Sequence, residues 1–253
     1  MLIIILIYFQ FIFRNLRNLV WLTLNGNLLH TLDSESFLGL DSLEFLDLSN
    51  NNLKFHSLTV EPQKISESTL VSSNETLTLT VEMLSPFAGL VTLKTLDLVS
   101  NKIDRLFPMF DDLTSMITLN MSGNSIAEWS VRLFKNTTSL TKLDLSYNNI
   151  QTLTTAMVDD FHSENLTIYL TGNEFLCTCE LKPFTDVNLD KRCPNYENYK
   201  CSNLGNVVTI SAYLQDPECS PVTPPPIESS NILIFCSVVV SCVILVAAFV
   251  IKR

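Results

Sequence analysis

Apolar and polar positions alternate along this chain in one recurring phrase, Leu-x-x-Leu-x-Leu-x-x-Asn-x-Leu. The first clear copy has Leu19, Leu22, Leu24, Asn27 and Leu29, and the second Leu43, Leu46, Leu48, Asn51 and Leu53. A third has Leu93, Leu96, Leu98, Asn101 and Ile103; a fourth substitutes Met116, Leu119, Met121, Asn124 and Ile126. The fifth has Leu140, Leu143, Leu145, Asn148 and Ile150, and a looser sixth Ile168, Leu170, Asn173 and Phe175. Successive asparagines are 24, 50, 23, 24 and 25 residues apart, so all intervals but one agree on a single period.

The Leu-x-Leu core has the period of a strand, with leucines pointing inward and the residue between them outward. Strands are therefore predicted at Leu22–Leu24, Leu46–Leu48, Leu96–Leu98, Leu119–Met121, Leu143–Leu145 and Ile168–Leu170. A period of about 24 residues is that of a leucine-rich repeat, in which each unit supplies one strand to a continuous parallel sheet. No unit covers its own apolar edge, so stacking is obligatory, and each buried leucine contributes roughly 1.5–3 kcal/mol. The fold class is thus α/β, a leucine-rich repeat solenoid (horseshoe) with its parallel sheet on the concave face. Phe37, Leu40, Phe87, Leu90 and Phe134 are placed to complete the core from the convex side. The asparagine falls where the chain leaves the strand, where its amide can pair backbone groups otherwise buried without partners.

The repeats occupy residues 18–175, with an irregular insertion near 54–85 that accounts for the interval of 50. That stretch is rich in Ser, Thr and Glu; the alternative is a degenerate repeat with Asn74 as its asparagine. Residues 1–17 are an apolar N-terminal segment, either signal-like or the start of a fragment of a longer array: its apolar core is too short to span a bilayer. Residues 176–220 hold five of the seven cysteines and read as a cysteine-rich cap in an oxidising compartment. A proline-rich stalk follows at 221–231, and then a chargeless run at 232–251. As a helix that run is about 30 Å long, the thickness of the hydrocarbon core, so a single C-terminal transmembrane helix is expected. Lys252 and Arg253, at 252–253, place the C-terminus in the cytosol and the repeats outside.

The net charge of −10 argues against a nucleic-acid partner, which needs a basic footprint. His30, His56 and His162 are scattered, the zinc-protease and nucleophile-elbow motifs are absent, and no glycine-rich phosphate loop occurs. The expectation is a non-enzyme without cofactor or metal. Four glycosylation sequons begin at Asn74, Asn120, Asn136 and Asn165. Asn120 lies on the concave face, so a glycan there pushes ligand contact toward the lateral edges or the convex side. Asp47, Asp97 and Asp144 share one strand position and form a polar column with Thr23 and Asn120. They are the ligand-contact candidates, although Leu-Asp-Leu is also simply common in such repeats.

The phrases Leu-Asp-Leu-Ser-Asn-Asn-Asn-Leu at 46–53 and Leu-Asp-Leu-Ser-Tyr-Asn-Asn-Ile at 143–150 resemble extracellular leucine-rich repeats. With the C-x-C of Cys177 and Cys179, the spaced cysteines after it, a stalk and one helix, the chain resembles a truncated or partial Toll-like receptor. The resemblance implies cap disulfides Cys177–Cys201 and Cys179–Cys219, leaving Cys193 as a free thiol or an intermolecular link. Cys236 and Cys242 read as small apolar residues of the helix. It also implies ligand binding in innate immunity without a TIR signalling domain of its own, with adhesion or a co-receptor or decoy role as the alternative. The partners implied are a protein or microbial ligand, a related receptor in a lateral homo- or heterodimer, and membrane lipid.

Overall fold

The structure is a computed structural model of the whole chain, and it describes residues 12–34, 36–55, 85–186, 188–203 and 205–215. The N-terminal apolar run, most of the expected insertion with Asn74 and His56, Cys219, the stalk, and the membrane helix with Cys236 and Cys242 lie outside the described residues. Among the described residues no helix is long and apolar enough to cross a membrane.

Six strands form one sheet in chain order, every neighbouring pair parallel: β1 (Trp21–Thr23), β2 (Phe45–Asp47), β3 (Thr95–Asp97), β4 (Thr118–Asn120), β5 (Lys142–Asp144) and β6 (Thr167–Tyr169). Leu22, Leu46, Leu96, Leu119, Leu143 and Ile168 stand opposite one another in register. All but Leu22, on the edge strand, are fully buried. Each strand is three residues long and centres on the first inward leucine, one residue earlier than the predicted Leu-x-Leu centre. At the four inner strands an Asx turn marks that end: the Ser49 N–H, for one, donates to Asp47 Oδ1 at 2.9 Å and bends the chain as soon as the strand ends. The second leucine stays in the ladder nonetheless, since the Leu48 N–H donates to the Asp97 carbonyl at 2.8 Å. The sheet passes from β2 directly to β3, so the long interval between Asn51 and Asn101 adds no rung to it.

The turn after each strand repeats two devices. The residue before each asparagine takes a left-handed conformation: Gly26, Asn50, Ser100, Gly123, Tyr147 and Gly172. Gly172 has a second constraint, because a Cβ there would collide with the ring of Tyr147. The asparagine itself then ties two repeats together. Asn101 Nδ2 donates to the carbonyl of Leu98 in its own repeat and to that of Leu48 in the one before, both at 3.0 Å. Its Oδ1 accepts the Leu53 N–H at 2.9 Å. Asn51, Asn124, Asn148 and Asn173 make the same three bonds. Asn27 instead bonds only within its own turn, to Leu24 and Asn25 carbonyls.

The opposite side of the stack is a column of phenylalanines. Phe37, Phe87, Phe110 and Phe134 stack at centroid distances of 6.3, 6.1 and 5.4 Å, and all four are buried. Beyond Phe134 the column changes, with Trp129 set edge-on between Phe134 and Phe161. A short helix α1 (Thr155–Asp160), capped by Thr154, carries Asp160 into this core. Its carboxylate accepts the Trp129 indole N–H and the Leu133 N–H at 2.8 Å and the Phe134 N–H at 3.1 Å, and pairs with Arg132 at 3.7 Å.

The cap follows directly. Strands β7 (Phe175–Leu176), β8 (Lys200–Asn203) and β9 (Asn206–Thr209) form a second, mixed sheet. Short helices α2 (Pro183–Asp186) and α3 (Ile210–Tyr213) accompany it. Phe175, Phe184, Tyr196 and Tyr199 pack as one aromatic cluster over the last repeat. The cap also completes the ladder's last rung: the Leu170 N–H donates to the Tyr199 hydroxyl and the Ile168 N–H to the Arg192 carbonyl.

Asn101→Ala strips three bonds from a buried turn and leaves the Leu53 N–H unpaired. A loss of about 3 kcal/mol is expected in urea unfolding, against about 1 kcal/mol or less for Asn27→Ala.

Candidate functional site

Residues flanking each central leucine project from the open face of the main sheet, because side chains alternate along a strand. They form two rows. One runs Trp21, Phe45, Thr95, Thr118, Lys142, Thr167; the other runs Thr23, Asp47, Asp97, Asn120, Asp144, Tyr169. Neighbouring rungs are about 4.8 Å apart.

The three candidate aspartates thus stand in one row, Asp47 beside Asp97 and Asp144 one strand further on, past Asn120. Each has a structural duty. Asp47, Asp97 and Asp144 accept the N–H of Ser49, Val99 and Ser146 at 2.9, 3.0 and 2.9 Å. Asn120 accepts the Ser122 N–H at 3.1 Å in the same way, so the turn needs a carbonyl-type oxygen rather than a charge. The second carboxylate oxygens are left over, and none of the three aspartates forms an ion pair among the described residues. Burial raises the Asp97 carboxyl above its ordinary value, the Val99 N–H opposes that, and the charges of Asp47 and Asp144 raise it further.

The two ends of the face differ. Trp21 and Phe45 stack at 3.5 Å and 15°, with the Trp21 indole N–H donating to Thr23 Oγ1 at 3.0 Å. Trp21 remains 61% exposed. At the other end the Lys142 ammonium sits 5.2 Å from the Tyr169 ring centroid. The aromatic pair was absent from the sequence reading, which followed the position after each central leucine; reading the position before it across repeats would have found Trp21 and Phe45.

Of the sequons, Asn120 is half-buried in β4 on this face, while Asn136 and Asn165 are exposed in the connections leading to β5 and β6. In the cap, Cys177 is bonded to Cys201, with their Cα atoms 4.9 Å apart. Cys179 is also disulfide-bonded. Cys193 is a buried free thiol, and burial pushes it up to about 12. A cavity of about 350 Å³ lies between the last repeat and the cap, lined by Gly172, Asn173, Phe175, Asn195, Asn198 and Lys200 among others. No group of three or more His, Cys, Asp or Glu among the described residues is placed to hold a metal ion.

Two family models match the chain, both described as leucine-rich repeat, one over residues 9–53 and one over residues 136–152. With the strand register and the asparagine ladder, they make this a leucine-rich repeat protein built on a parallel sheet. Both models describe repeats, a class that is typically non-enzymatic and suited to binding other proteins.

Cys193 is expected to resist a water-soluble maleimide at pH 8 while the chain is folded, because a thiol held near 12 supplies almost no thiolate there; in denaturant the peptide that carries Cys193 should be labelled. Asp97→Asn keeps the acceptor of the turn and removes the disfavoured charge. A carboxyl raised on folding favours the folded state fully below its unfolded value of 3.8, and that contribution is lost as pH rises through the folded value. Asp97→Asn should therefore melt at or above the wild-type temperature at pH 7, with the advantage shrinking as the pH falls toward 4.

Proposed function

We propose that the chain is a cell-surface protein-recognition module that binds its ligand through the repeat array, in the manner of a Toll-like receptor ectodomain in innate immunity. The observation that carries this reading is the open face itself. It is a continuous double row of fixed side chains whose aspartates have no ionic partner among the described residues and whose aromatic end stays exposed. Trp21 stays 61% exposed although its position is fixed, and binding surfaces are enriched in that residue. The disulfide-bonded cap supports an oxidising compartment, and the exposed sequons at Asn136 and Asn165 are compatible with one. The chargeless run 232–251, followed by Lys252 and Arg253, supports a single-pass anchor with the repeats outside.

The test is expression of the full chain in cultured animal cells, with surface biotinylation and glycosidase treatment, followed by co-expression with full-length Toll-like receptors in a reporter assay. The expected outcome is a glycosylated, surface-labelled chain that lowers the ligand response of at least one receptor. Clustering of cells that express it, with every receptor response unchanged, would move the assignment to adhesion. An unglycosylated chain confined to the cytosol would overturn the cell-surface reading altogether.

A further inference from the structure

We propose that the first three strands of the open face bind an arginine-bearing, net-positive protein segment, with the Trp21–Phe45 stack offering an outer ring face to a guanidinium and Asp47 and Asp97 pairing the charges beside it. This rests on the reading above that the face binds protein, and it adds the chemistry of the partner.

Two unlike features adjoin on β1 to β3. The first is the aromatic pair. One face of the Trp21 ring is covered by Phe45, its N–H is held by Thr23, and the ring is still 61% exposed. Its position is fixed before any partner arrives, so little side-chain freedom is lost on binding. The second is the pair of carboxylates. Asp47 is two residues from Phe45 on the same strand, about 7 Å along it, and Asp97 stands next to Asp47 on β3. Their turn bonds hold each carboxylate in place through Oδ1 and leave Oδ2 to the face.

The alternatives fail on charge. An anionic segment is repelled by both aspartates. An uncharged apolar segment would cover Asp47 and Asp97 without pairing them, a desolvation that nothing repays. A cation complements both features, since aromatic faces attract cations and carboxylates pair with them. Arginine fits better than lysine, because its planar group stacks on a ring and meets a carboxylate through two parallel bonds. Among the described residues the chain does not supply that cation here: Lys94, on the adjoining edge of β3, is bound to Glu44 at 2.9 Å. At the far end of the same face the pairing is already made, with Lys142 over Tyr169. Asn120 stands on the next strand beyond Asp97, with its Oδ1 committed to the Ser122 N–H, and the surface is open to a partner where Asn120 carries no glycan.

The test titrates the full chain with fluorescein-labelled hexa-arginine, hexa-lysine and hexa-glutamate peptides, read by anisotropy at about 0.15 M salt, where surface charge is screened beyond about 8 Å. Hexa-arginine is expected to bind about tenfold tighter than hexa-lysine, and hexa-glutamate not at all. Trp21→Ser should bring hexa-arginine down to the lysine level. The double variant Asp47→Asn/Asp97→Asn, which keeps both turns as Asn120 does, should weaken both cationic peptides about tenfold when it and the wild type are produced with N-glycosylation blocked, since the first change creates a sequon with Leu48 and Ser49. Glu174→Gln/Glu180→Gln removes the same charge from exposed cap positions and should change neither affinity. Circular dichroism confirms that each variant is folded. Equal affinities for arginine and lysine, indifference to Trp21→Ser, or equal losses in the two double variants would overturn the proposal in favour of diffuse attraction to an acidic chain. If a receptor response is lowered as well by Trp21→Ser as by wild type, this proposal falls while the recognition reading stands.

Discussion

The structure depends on one requirement: the turn that follows each strand is packed against its neighbours, so its backbone N–H and carbonyl groups must be paired without water. One asparagine per repeat meets that requirement. It accepts from its neighbour's descending chain and donates to two carbonyls, one in its own repeat and one in the repeat before. Because those bonds cross between repeats, satisfying the turn and fixing the stacking register are a single event. The leucines supply the apolar driving force, but many registers would bury leucines; the asparagine selects one. The phenylalanine column on the other side stacks at a wider spacing, 6.3, 6.1 and 5.4 Å, through its rings alone.

Much of this was legible because the period and the residue types agree. Leu46, Asn51 and Phe37 each occupy a position that only a stacked strand-turn unit explains, and all three are buried. The strand limits were less legible. The Leu-x-Leu pattern reports which side chains point inward, whereas the strand ends where the aspartate between the two leucines turns back on its own backbone. Asp160 was not legible at all. It belongs to no repeat consensus, and its burial follows from Trp129 and two backbone N–H groups that reach it only after the stack has formed. Trp21 was passed over because only the position between the two leucines was followed to the open face, whereas the position before the first leucine projects from it as well.

The aspartate row shows how one residue serves structure and recognition together. Its first oxygen is committed to the turn, which explains why aspartate recurs there and why Asn120 substitutes for it. Its second oxygen is a by-product of that choice, presented at a fixed height on every rung that carries it. A repeat fold therefore arrives with a regular array of charges, and the residues one strand position away decide what the array can hold. Here those residues grade from an aromatic pair, through threonines, to a lysine. The cap then seals the apolar end with a disulfide and an aromatic cluster and presents β7 to the solenoid's last turn.

Native-state hydrogen exchange tests the asparagine ladder most directly. The amides of Leu53, Ile103, Ile126 and Ile150 donate to Asn101, Asn124, Asn148 and Asn173 and lie outside every strand, so their protection comes from the ladder alone. They should exchange as slowly as the central strand amides of Leu96 and Leu119, through one shared opening. Exchange of these four amides at the rate of exposed turns, while the strands stay protected, would contradict the account.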